Sequence, residues 1–145
     1  MKNEDFKYRW ENIQSQMAET LKESCLFFCI CIIAEQFLNQ KIDFVSIFMK
    51  SIRMGWLKKD GTVNDSLAIL QELTGKRWRR ELLAPDSEFI TDYLYFSIQI
   101  WENKNGKNHF RLKDFDIWKD SQTVKYGFLK GIYYYIPFTK KEEKK

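Results

Sequence analysis

Residues Ser24 to Glu35 read Ser-Cys-Leu-Phe-Phe-Cys-Ile-Cys-Ile-Ile-Ala-Glu. No face of a helix through this stretch is polar, so the helix has to be buried. The run Cys25–Ala34 is ten residues long, about half of what a membrane span needs. The chain therefore has to wrap this segment in other elements of its own. The stretch also holds all three cysteines of the protein, at 25, 29 and 31.

The cysteines are odd in number and clustered, which is not a disulfide framework and fits a reducing, cytoplasmic setting. Ser24 reads as an N-cap, making Cys25 the first helical residue. There the helix dipole and the unpaired first-turn amides favour a thiolate. Cys29 and Cys31 lie deeper in the apolar run and read as small core residues. The spacing C-x3-C-x-C with a single histidine in the chain matches no common metal site. No metal or other cofactor is expected.

Enough residues exist to build the wrapping. With 145 residues the chain is expected to form one domain over residues 1–139, followed by a charged tail at 140–145. Aromatic residues make up 17%, a content that excludes a disordered chain. Upstream, Phe6, Trp10, Ile13, Met17 and Leu21 form one apolar stripe on a helix from Glu4 to Lys22. The charged N-terminus leading into it does not read as a signal peptide. Downstream, Phe44, Val45, Phe48, Met49 and Ile52 predict a helix opened by Asp43 and closed by Gly55. Lys58–Gly61 reads as a turn. Leu67, Leu70 and Leu73 predict a short helix between the caps at Asn64–Ser66 and Gly75.

The period then changes from 3.6 to 2. Tyr93–Trp101 alternates as a strand, Asn103–Lys107 with its Asn-Gly pair is a hairpin turn, and His109–Lys113 is the returning strand. Val124–Ile136 supplies further strand. Helices first and an antiparallel sheet second define the α+β class. Lys76-Arg77-Trp78-Arg79-Arg80 is the one dense basic cluster. It reads as a charged strand start rather than a nucleic-acid patch, because the net charge is only +4. A nucleic-acid partner is not expected, nor is a membrane.

His109 opens a strand that places Phe110 and Leu112 on one face and His109, Arg111 and Lys113 on the other. A helix-tip thiol, a strand histidine and a carboxylate after that strand are the three parts of nucleophilic cysteine catalysis. Here they are Cys25, His109 and one of Asp114, Asp116 or Asp120.

The order Cys, helices, His on an antiparallel strand, then Asp resembles the papain-like plan. More closely, the chain resembles a family of spirochaete plasmid-encoded proteins that look like papain-like cysteine peptidases of the C39-like type. The matching stretches are Ser24-Cys25-Leu26-Phe27-Phe28, His109-Phe110-Arg111-Leu112, and Phe115-Asp116-Ile117 with Ser121-Gln122-Thr123-Val124-Lys125-Tyr126-Gly127 after it. The resemblance covers residues 20–136. It implies a papain-like fold, a Cys25–His109–Asp116 triad and a peptide or protein substrate.

Three positions depart from that pattern. Ser24 stands for Gly, Ile117 for Pro, and Glu19 for the Gln that usually polarises the oxyanion. A carboxylate repels a developing oxyanion. Two functions are therefore expected in competition: an amide hydrolase using Cys25, and an inactive papain-like module that binds a protein or peptide through its aromatic residues.

Overall fold

The computed structural model describes residues 9–10, 12–13, 25–89, 91, 94–112 and 127–139. Most of the expected Glu4–Lys22 helix lies outside these. Arg9, Trp10, Asn12 and Ile13 are described, and all are helical. The contacts divide the chain into two compact units, Met1–Gly75 and Lys76–Lys145.

In the first unit, α1 spans Cys25–Leu38 and buries every residue from Phe27 to Glu35. It ends at Asn39, whose φ of 52° is the left-handed stop that Asn tolerates. α2 spans Phe44–Arg53, and its N-cap Asp43 accepts from the Ser46 amide at 3.1 Å. α3 spans Ser66–Thr74 between Asp65, which accepts from the Ala68 amide at 3.0 Å, and Gly75 in the left-handed region. Between α2 and α3, Leu57 and Val63 bridge across the tight turn at Lys58–Gly61.

An aromatic cluster forms this unit's core. Phe28 and Phe44 stack with centroids 5.1 Å apart, and Trp10 meets both rings edge-on. α3 packs on α1 through Ile69 and Leu70, which are fully buried. Each such side chain contributes roughly 1.5–3 kcal/mol. An exposed ion pair such as Lys50–Glu72 contributes less than about 1 kcal/mol. Packing therefore decides the stability of this unit.

Two stripes differ from expectation. In α2 the buried residues are Phe44, Ile47 and Ser51, while Val45 and Met49 are exposed. The inward face includes a serine, which an apolar pattern passes over. In α3 the buried residues are Ser66, Ile69 and Leu70, with Leu67 and Leu73 only half-buried.

The second unit is a four-stranded antiparallel sheet. Its strands are β1 (Trp78–Leu83), β2 (Phe96–Glu102), β3 (Asn108–Arg111) and β4 (Phe128–Pro137), in the order β1-β4-β2-β3. The α+β class thus holds among the described residues. β2 begins three residues later than the alternation predicted, at Phe96. The β2–β3 turn is held by Asn103, whose Oδ1 accepts from the Asn105 and Lys107 amides at 2.9 Å each. Gly106 there has φ 79°. Between Ile100 and Trp101 the register on β4 jumps from Gly131 to Leu129, so Lys130 is the extra residue of a β-bulge.

Trp78, Ile98, Ile100, Tyr134, Tyr135 and Ile136 are buried in this unit. No helix among the described residues is long and apolar enough to cross a membrane.

Candidate functional site

Cys25 is the first described residue of α1 and half-buried, whereas Cys29 and Cys31 are buried. All three thiols are free. Burial, and secondarily the charge of Glu35, push the Cys31 thiol well above its ordinary value of 9.0. Cys31 therefore stays a neutral core group. Ser24, the expected N-cap, and Glu19 lie outside the described residues.

His109 stands on β3 opposite Trp101. The expected alternation is observed: His109 and Arg111 share one face of the sheet, and Phe110 pairs with Ile100 on the other. His109 is only 7% exposed. A strand-opening histidine on the polar side of its strand would ordinarily lie at the surface, and the burial of this one is a departure from that expectation. Asp116, together with Asp114 and Asp120, lies outside the described residues. Of the three triad candidates, Cys25 thus belongs to the helical unit and His109 to the sheet unit.

The basic cluster is dispersed by strand geometry. Trp78 is buried. Arg79 pairs with Glu81 at 2.8 Å. Arg80, on the opposite face, lays its guanidinium 4.5 Å from the centre of the Tyr133 ring. Arg77 stacks on Phe138 at 5.0 Å. Side chains that alternate between faces and engage acidic or aromatic neighbours do not make one continuous phosphate-binding surface.

The most elaborate polar arrangement is one that residue patterns did not single out. Glu35 is fully buried at the inner face of α1. Its Oε2 accepts from Trp10 Nε1 at 2.7 Å, and its Oε1 accepts from the Ile42 amide at 3.1 Å and from Arg9. Arg9 also donates to the Ile42 carbonyl at 2.9 Å. One carboxylate thereby joins the N-terminal helical residues to the α1–α2 connection. A signal existed: Phe28, Cys31 and Glu35 are spaced three and four apart, so the charge had to share a face with core residues. Among the described residues, no cluster of three or more His, Cys, Asp or Glu side chains could hold a metal ion.

Comparison with protein-family models, with curated proteins and with solved structures found no match for this chain.

Proposed function

We propose that the chain is a papain-like cysteine hydrolase acting on amide bonds. Cys25 Sγ attacks the carbonyl carbon and the carbonyl electrons move onto oxygen. His109 takes the thiol proton and returns it to the departing amine. Asp116 orients the imidazole. Water then releases the acyl group from sulfur. The observation that supports this reading best is the position of Cys25: it opens the described part of a buried helix, and it is half-buried where Cys29 and Cys31 are buried. In this reading backbone amides beside Cys25 donate to the oxyanion in place of a glutamine at position 19.

A second reading, a papain-like module that binds peptide or protein without catalysis, is favoured by the burial of His109. An imidazole packed into a sheet serves as a core residue without moving a proton.

Pulsed iodoacetamide labelling near neutral pH, mapped by peptide mass, tests the two. The hydrolase reading expects Cys25 to label at least about tenfold faster than Cys29 and Cys31, and that rate to collapse in His109→Ala. A Cys25 rate indifferent to His109→Ala in a folded protein supports the binding module instead.

A further inference from the structure

The turn between β2 and β3 carries the one Asn-Gly pair of the chain, Asn105-Gly106. Both residues are exposed. An asparagine followed by glycine is prone to cyclise, because glycine has no side chain to crowd its own amide nitrogen. Even a Cβ placed on Gly106 would meet nothing within 4 Å, so the space beside this residue is open. Every other asparagine precedes a residue with a side chain, and Asn64 has its side-chain nitrogen on the Gly55 carbonyl at 3.1 Å.

Against this, the turn holds the attacking nitrogen. The Gly106 amide donates to the Asn103 carbonyl at 3.0 Å. Asn103 Oδ1 accepts from the Asn105 and Lys107 amides at 2.9 Å each, and the Asn103 amide donates to the Lys107 carbonyl at 3.0 Å. Cyclisation needs the Gly106 nitrogen to lose its proton and swing onto the Asn105 side chain. Both changes break its bond to Asn103, so the reaction passes through a local opening of the turn.

We propose that Asn105 is a site of spontaneous deamidation and that Asn103 sets its rate. The Gly106 nitrogen attacks Asn105 Cγ, the bond from Cγ to the side-chain nitrogen breaks, and ammonia leaves with the proton that Gly106 gave up. Water opens the resulting cyclic imide at either carbonyl, leaving aspartate or isoaspartate. Isoaspartate puts one more carbon into the main chain inside the turn. Turn geometry fixes hairpin register, and the first ladder pairs beyond the turn are Glu102–Asn108 and Trp101–His109. The modification therefore loosens β3, the strand that carries His109. No step uses Cys25, so the proposal stands apart from the hydrolase reading.

The test incubates the full chain at mildly alkaline pH, folded and in concentrated guanidinium chloride. Isoaspartate is counted by enzymatic carboxyl methylation and located by peptide mass. Expected is isoaspartate at Asn105 ahead of every other asparagine, forming about tenfold faster in the denaturant than in the folded chain. Asn103→Ala should raise the folded rate about threefold or more, while Asn103→Asp, which keeps a side-chain acceptor, should stay near the native rate. Should Asn103→Ala fail to fold, the comparison of the native chain with and without denaturant carries the test. Converted chain, separated by ion exchange, should exchange its amide hydrogens faster over β3 than native chain does. Isoaspartate absent from Asn105, equal rates with and without denaturant, a folded Asn103→Ala at the native rate, or unchanged exchange over β3 each overturns the proposal.

Discussion

The indole nitrogen of Trp10 donates to Oε2 of Glu35 across 2.7 Å, with both side chains fully buried. This bond ties helical residues at the start of the chain to the innermost helix, α1. The same carboxylate takes Arg9 and the Ile42 amide. Its charge is thus met by one cation and two neutral donors.

Removing the carboxylate leaves Arg9, the Trp10 indole and the Ile42 amide without their acceptor. Breaking a buried pair costs about 3–5 kcal/mol, and Arg9, with 22% of its side chain exposed, recovers part of that from water. Glu35→Ala is expected to destabilise the protein by about 3 kcal/mol in urea unfolding. Glu35→Gln, which keeps an acceptor for Trp10, should fall between the two. An unchanged midpoint for Glu35→Ala would show that the network contributes nothing.

Phe28 and Phe44 carry the aromatic core, stacked within 5° of parallel. Phe28→Ala is expected to cost about 3–5 kcal/mol, and Phe28→Leu less than half of that. By contrast, Val45→Ala on the exposed side of α2 should lie within about 0.5 kcal/mol of the native protein. Chemical denaturation of the three variants checks the order.

At alkaline pH the Cys31 thiol matters. Its folded-state pKa is raised above the 9.0 of the free thiol by burial first and Glu35 second. The unfolded chain therefore ionises near pH 9 while the folded chain holds its proton. The stability this group contributes is fully present below pH 9 and is lost as pH rises above it. Cys31→Val should flatten part of the decline in unfolding free energy measured between pH 8 and pH 10.5.

On the acid side, Asp43 and Asp60 have carboxyls held below the usual range, Asp43 chiefly by the Ser46 amide and Asp60 chiefly by the Thr62 amide. Their contribution is present above the ordinary carboxylate range and is lost as pH falls through the depressed folded values. Asp43→Asn should lower the thermal midpoint at pH 7 and shrink the difference between pH 7 and pH 3. Equal pH dependence in native and variant chains would remove the cap from the account.

Gly75 ends α3 at φ 72°, and a Cβ there would meet nothing within 4 Å. Gly75→Ala therefore tests backbone strain without a clash, and should cost about 1 kcal/mol. Gly75→Asn should recover much of it, because Asn tolerates the left-handed region. Thermal melts of the pair decide this.

Local signals carried far in this chain. The apolar run made α1 a buried helix from Cys25 to Leu38, and Asn39 ended it. Asp43, the candidate caps Asn64–Ser66 and Gly75 marked α2 and α3, because caps act on backbone groups within a turn of themselves. The change of period and the Asn-Gly pair placed the β2–β3 hairpin for the same reason. The depth of each cysteine was also legible.

What the tertiary structure alone decided depends on neighbours remote in sequence. Which face of α2 turns inward was set by the rings of α1 and not by α2's own apolar spacing, so Ile47 and Ser51 are buried while Val45 and Met49 are not. The role of Glu35 required Arg9, Trp10 and Ile42 to converge on it. The close approach of Leu82 and the Leu83 carbonyl to Gly131 exists because β4 lies beside β1, an order no local pattern encodes. Burial of His109 was likewise decided by tertiary packing and not by the alternation of its strand. Secondary structure is written in short-range sterics and hydrogen bonds. Partners for a buried charge, and the close approach of strands at a glycine, arise only when distant segments meet.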